Sequence, residues 1–319
     1  MLAPLERRLQ NDPGIQPARR RAERPRFHAA RCLCKITYLG SSQGAMDFNS
    51  SEWLNLVVRW IHVFAGILWI GQTYFFTWLD GTLTAAEEAG GKNHAPGRVW
   101  MVHSGGFYVV EKQRFAAALP RKLHWFRWEA AVTWISGMLL LVIVYYVGGA
   151  LVDDRVADIQ VGTGVAIGLG LFFVAWVVYD LLWQSPVGRS ETVFAGVSYL
   201  LVVGVVFGLT RLLSTRAAYI HVGAMFGTLM TANVWLRILP AQRRMIADLE
   251  EGRRPDAALA ARAKLRTKHN TYMVVPTVFI MVSNHYPVAT YGNKYNWVVL
   301  SVLILAGWGA AKLLRSARG

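Results

Sequence analysis

The chain has 319 residues, 54% of them hydrophobic, with thirteen Trp and a formal net charge of +15. Its apolar residues gather into blocks near the ~20 residues that a helix needs to cross a hydrocarbon core, which excludes an ordinary soluble domain. The Lys and Arg residues flank those blocks, so the positive charge reads as membrane topology and nucleic acid is not an expected partner.

Residues 1–46 differ from the rest, with nine Lys/Arg, several Pro and no apolar run of signal-peptide length. The expectation is a disordered tail, or an extension upstream of a start at Met46. Cys32 and Cys34 lie there as Cys-Leu-Cys and supply neither a disulfide framework nor a zinc site, and the haem-attachment pattern Cys-x-x-Cys-His is absent.

Residues 47–319 read as an all-α integral membrane domain of about seven transmembrane helices. The spans are expected near 53–79, 129–149, 161–183, 193–213, 217–239, 271–288 and 297–314. Two stretches, 80–128 and 240–268, stay polar. The first reads as a long loop, the second as an amphipathic surface helix interrupted at Pro255. Pro276 falls inside the sixth span, where neighbouring helices can tolerate it. Glycines at 162, 164, 168 and 170 would let the third span pack closely on its neighbours. The loops on the side of 80–128 carry far more Lys and Arg than those on the side of the helical N-terminus. That asymmetry puts 80–128, 240–268 and the C-terminus in the cytoplasm, and the helical N-terminus outside.

Ionisable residues inside spans are costly, and each is a functional candidate. His62 and His221 sit in the similar phrases Ile61-His62-Val63 and Ile220-His221-Val222, and His285 ends the sixth span. Topology brings the three to one membrane level, where they suit haem b or metal ligation, or are satisfied by backbone carbonyls and water. The shared phrase hints at a weak four-plus-four repeat lacking its eighth helix. Arg59 and Arg237, near span ends, read as snorkelling cations.

The loop MVHSGGFYVVEKQRFAAALPRKLHWFRWEA is the most unusual stretch. Gly105-Gly106 permits a tight or left-handed backbone. Around it stand His103, Glu111, Lys112, Gln113, Arg114 and His124, interleaved with aromatic residues. Arg and Gln side by side can hold the edge of a planar anionic heterocycle, with aromatics over its faces. A juxtamembrane amphipathic loop would have the same composition.

That loop, WLNLVVRWIHVFAGILWIGQTYFFTWLD, HVGAMFGTLMTANVW and KHNTYMVVPTVFIMVSNHYP together resemble the membrane-bound, cytochrome c-type urate oxidases over residues 47–310. The resemblance implies oxidation of urate to 5-hydroxyisourate in purine degradation, in an inner membrane. It also implies electron transfer to cytochrome c, through a C-terminal haem c domain that follows an eighth helix. Both are missing before Gly319, so a separate cytochrome c is the expected acceptor. In this reading Gln113, Arg114 and Lys112 hold urate, His103, His124 and Glu111 handle protons, and electrons move toward His62, His221 and His285. The alternatives are a haem-carrying electron-transfer anchor and a transporter of an anionic metabolite.

Overall fold

The computed structural model describes residues 49–89, 97–113, 120 and 122–316. The 1–46 tail, with both cysteines, lies outside them. The chain runs through helix α1 (Ser50–Ala89), a hairpin of β1 (Arg98–His103) and β2 (Gly106–Glu111), and α2 (Trp128–Leu141), which continues as a π-helical turn over Val142–Tyr146. Then follow α3 (Val161–Gln184), α4 (Glu191–Leu212), α5 (Thr215–Ala232), a second π-helical turn (Asn233–Ile238), α6 (Leu239–Glu250), α7 (Ala257–Ser283) and α8 (Asn296–Ser316). Because α5, its π turn and α6 form one unbroken rod, the described residues hold seven helical rods, six of them long and apolar enough to cross a membrane.

Burial identifies the solvent. Trp60, Phe64 and Ile67 of α1 are 60–70% exposed, and Phe173, Leu200 and Leu313 reach 70% or more. Large apolar side chains in such numbers on the outside of a bundle face lipid, since water would penalise each of them. The interior is built around α5, where Ala217–Gly223 is a continuous buried run. Helices α2, α3, α4 and α7 pack on it.

The sixth expected span, α7, is too polar to qualify on hydropathy, and its position explains why. Its outer half is the charged 257–268 segment, and its inner half buries Asn270, Thr271 and Ser283 between α5 and α8. A helix surrounded by protein can carry a polar face that a lipid-facing one cannot. Pro276 is accommodated by Gly307 of α8, where a Cβ would come within 3.0 Å of the proline ring.

Close packing on α3 uses two of the four glycines expected. Gly164 lies against Leu151, and Gly168 against His221 and Tyr146, whereas Gly162 and Gly170 have nothing within 4 Å. The buried pair are four residues apart and so share one helix face.

The stretch 240–268 is not a separate surface helix. It is the outer end of the α5–α6 rod, a turn at Glu251–Gly252 where Gly252 takes φ +69°, and the start of α7, capped by the Asp256 carboxylate on Ala258 N.

The polar stretch after α1 also differs from the expected loop. Arg98–His103 and Gly106–Glu111 pair antiparallel around Ser104-Gly105, whose φ values of +49° and +75° form the mirror-image turn favoured by hairpins. The left-handed position is one residue earlier than Gly105-Gly106 suggested, and Gly106 begins a strand. Val99 turns inward against Leu79 and Leu83 of α1, while Trp100 and Val102 point out. This period-two alternation was masked by the polar residues flanking so short a run.

Candidate functional site

The hairpin pulls the expected loop site apart. His103 pairs with Gly106 at the turn and Glu111 with Arg98 at the open end, five residues of strand or about 17 Å away. Glu111 is occupied by the Arg98 guanidinium, Nε to Oε2 at 2.7 Å, and by Gln113 Nε2 at 3.4 Å. Lys112 is ion-paired with Asp80 of α1, which Lys264 of α7 also reaches at 2.8 Å. His103 and Ser104 Oγ are 2.7 Å apart, and the His124 ring stands edge-on to Phe126 at 4.6 Å. Arg114 lies outside the described residues. Among the described residues, then, the hairpin's polar groups satisfy one another and brace it on α1 and α7. We expect Asp80→Asn to speed proteolytic cleavage at the hairpin in limited digestion, with a stability loss of about 1 kcal/mol or less, because both ion pairs are partly exposed.

The inner histidines also have partners. His62 Nδ1 donates to Thr133 O at 2.9 Å and lies 3.2 Å from Ser136 Oγ. His221 Nδ1 donates to Ala217 O at 2.8 Å, and Nε2 accepts from Tyr146 Oη at 3.2 Å. His285 is exposed just past the end of α7. The described residues contain no group of three or more His, Cys, Asp or Glu placed to hold a metal ion, so the three histidines are not gathered as ligands of one such ion. A haem at His221 does not fit. Both ring nitrogens are engaged, and Gly168 packs so tightly that a Cβ there would come within 2.7 Å of Nε2 and of Tyr146 Oη. We expect Gly168→Ala to destabilise the bundle by roughly 1–3 kcal/mol through overpacking, read as a lower Tm in detergent.

The strongest buried charge cluster lies elsewhere. Asp180, near the end of α3, is 6% exposed. It accepts from Arg237 (Nε to Oδ1, 3.0 Å, and Nη2 to Oδ2), from Arg266 Nη2 at 2.7 Å and from Gln184 Nε2 at 2.8 Å. Arg237 is therefore an ion-pair partner in addition to a span-end cation. Arg59 bonds Asn55 on its own helix. Arg266, 5% exposed, also reaches Asn233 Oδ1 at 3.3 Å, and its guanidinium lies 4.9 Å from the Tyr179 ring centre. Asn233 Nδ2 donates to Tyr179 Oη at 3.0 Å and to Asn270 Oδ1 at 2.9 Å, and Tyr179 Oη in turn donates to His269 Nδ1 at 2.8 Å. Two guanidinium groups against one carboxylate leave the cluster one positive charge in excess.

A second set is conspicuous for lacking partners. Arg127 Nε, Glu129 Oε2, Thr231 Oγ1 and Trp235 Nε1 are shielded from solvent and have no hydrogen-bond partner. Arg127 and Glu129 lie at the start of α2, and Thr231 and Trp235 on the α5 rod that packs against α2. Trp134 Nε1 bonds Thr228 Oγ1 across this α2–α5 seam at 3.0 Å, and further along it the Trp128 and Trp235 rings are 5.8 Å apart. The Arg127 guanidinium lies 5.5 Å from the Trp128 ring centre. Buried polar groups are nearly always satisfied, and orphans grouped this way mark a place for a ligand or water. Trp235 lies within the π-helical turn Asn233–Ile238, a distortion often found at functional sites.

The family model described as urate oxidase N-terminal matches residues 49–316. The chain belongs to the urate oxidase N-terminal family. No curated protein and no solved structure matches it. The match to this family runs from the residue that caps α1, Asn49, whose side chain accepts from Glu52 N at 3.2 Å, to the end of α8. It thus takes in the hairpin, the α2–α5 seam and the Asp180 cluster together.

Sequence reading of this urate oxidase N-terminal chain missed both of those polar sets. Asp180 is an acid inside an apolar span and could have been singled out by the same cost argument that selected the histidines. Arg127 and Glu129 stand in the unusual phrase His-Trp-Phe-Arg-Trp-Glu-Ala, but nothing local distinguishes an orphaned side chain from a paired one.

Proposed function

We propose that this chain is the membrane domain of a urate-oxidising dehydrogenase, converting urate to 5-hydroxyisourate in purine degradation and sending two electrons on to cytochrome c. The observation that carries the reading is the family match, which spans nearly every described residue. The reaction consumes one urate monoanion and one water and releases two electrons and one proton to give neutral 5-hydroxyisourate, with the water oxygen ending on the ring carbon C5.

The seam supports this reading chemically. Urate at neutral pH is a flat monoanion with carbonyl acceptors and N–H donors on both edges. Arg127 Nε and Trp235 Nε1 supply donors, Glu129 Oε2 an acceptor, and Thr231 Oγ1 either. Glu129 holds a ring N–H and receives the proton released as water adds. The surplus positive charge of Arg237, two residues beyond Trp235 on the α5 rod, and of Arg266 on α7, both bonded to Asp180 of α3, favours an anion. In this reading the hairpin, with His103 and Glu111 and with Lys112 and Gln113 following it, covers the cytoplasmic approach of an inner-membrane protein, and His124 relays protons there.

The test uses the full chain in lipid nanodiscs with oxidised cytochrome c and urate. The expected result is urate loss at 5-hydroxyisourate formation, with two cytochromes reduced per urate. Urate that neither binds nor disappears, under conditions where the protein is folded, would sink the reading.

A further inference from the structure

A cavity of about 840 Å³ is lined by α3, α4, α5, α7 and α8. Its volume is that of a cofactor site. Val174, Leu201 and Leu305 in its wall are each 45–55% exposed, so it opens on the lipid-facing surface. Most of the lining is aliphatic, with Glu191, Lys268, His269 and Lys312 among its polar members.

Three neutral donors distinguish it from a lipid crevice. Ser198 Oγ and Trp308 Nε1, both in residues of the lining, are buried without partners. Tyr179 Oη already accepts from Asn233 Nδ2, so its own proton is assigned to His269 Nδ1 at 2.8 Å, the tautomer that carries the His269 proton on Nε2. Charge is partly muted, because Lys268 is bonded by both Glu191 oxygens at 2.8 and 2.7 Å, which leaves the single cation Lys312 in the lining. An anionic phospholipid headgroup would need concentrated positive charge, whereas a neutral ring carrying carbonyl acceptors needs isolated N–H and O–H donors in an apolar slot.

We propose that this cavity binds an isoprenoid quinone from the bilayer, with its carbonyls on the donors of His269, Trp308 and Ser198 and its tail along the aliphatic wall. Its redox role rests on the urate-oxidising reading. The bound quinone takes the two electrons released when urate and water become 5-hydroxyisourate, with one proton from the urate monoanion's reaction and one from water, and the resulting quinol passes the electrons on to two cytochromes c. The two sites flank one helix. Met225, Phe226 and Leu229 of α5 line the cavity, Thr228 bonds α2 at the seam, and the chain Asn233–Tyr179–His269 joins the α5 rod to the cavity.

The experiment measures binding of decylubiquinone to the full chain in nanodiscs of zwitterionic lipid, without urate. We expect saturable binding that Ala175→Phe abolishes by filling the cavity, and that Trp308→Phe weakens by about tenfold through loss of one hydrogen bond. Circular dichroism and Tm serve to show that both variants fold. Non-saturable binding, equal binding to wild type and to folded Ala175→Phe, or a phospholipid retained in the cavity and not displaced by decylubiquinone would overturn the proposal. Urate is added afterwards. Saturable binding without urate-dependent reduction of quinone or cytochrome c would leave the binding site standing and remove the urate reading. Urate-dependent reduction of cytochrome c without quinone binding would do the reverse.

Discussion

Glu129→Gln is expected to lower kcat/KM for urate by about 10- to 100-fold while leaving the Tm of the urate-free protein unchanged or raised. The first half follows from the worth of a hydrogen bond to a charged group, about 1.5–3 kcal/mol, converted to rate. The second follows from the buried, unpartnered Oε2 of Glu129. An orphaned acceptor carries its desolvation cost in the empty protein, so removing its charge relieves that cost. A purely structural residue would behave in the opposite way, losing Tm along with activity. Urate should also raise the Tm of the wild type and fail to do so in the variant. A lowered Tm with undiminished turnover would remove Glu129 from the site.

Asp180→Ala is expected to destabilise the bundle by roughly 3–5 kcal/mol, enough to lower its yield or prevent purification at ordinary temperature. The carboxylate is the only acid bonded to Arg266 and Arg237 among the described residues. Removing it strands the Arg266 guanidinium, whose side chain is 6% exposed, in a low-dielectric interior. Arg237→Ala should cost far less, about 1 kcal/mol, because that side chain is 45% exposed and partly solvated. The double variant Asp180→Leu/Arg266→Met should recover most of the stability, since apolar residues of similar volume commonly replace a buried pair without loss. Equilibrium unfolding in detergent, followed by tryptophan fluorescence, measures all four proteins. Equal destabilisation by Asp180→Ala and Arg237→Ala would contradict this ranking of burial.

Helix number and placement were legible in the residues alone, because lipid imposes a local rule. Every backbone polar group in the hydrocarbon region must be satisfied within its own segment, so a span announces itself by run length and composition wherever lipid surrounds it. The same rule explains the weakest case. The inner half of α7 is shielded by α5 and α8, so Asn270, Thr271 and Ser283 dilute its apolar signal without exposing polar groups to lipid. Ser104-Gly105 illustrates a different shortfall. The glycines pointed to a left-handed turn, but the strands on either side are six residues each and become a hairpin only by packing Val99 on Leu79 and Leu83.

Partner choice was not legible. Asp180 meets Arg237 and Arg266 across 57 and 86 residues of chain, and His221 is satisfied by Ala217 on its own helix and Tyr146 on another. The sequence by itself determined a membrane bundle of seven helical rods and the likeness to urate oxidases, both of which depend on composition, short-range spacing or continuous phrases, and it marked α3 as a close-packing helix without telling Gly164 and Gly168 from Gly162 and Gly170. Only the tertiary structure decided which ionisable residues are paired, which histidines are saturated and which polar atoms are left waiting at the α2–α5 seam. Those outcomes depend on which helix faces face each other, and hydropathy registers only that a face is shielded from lipid, not what shields it.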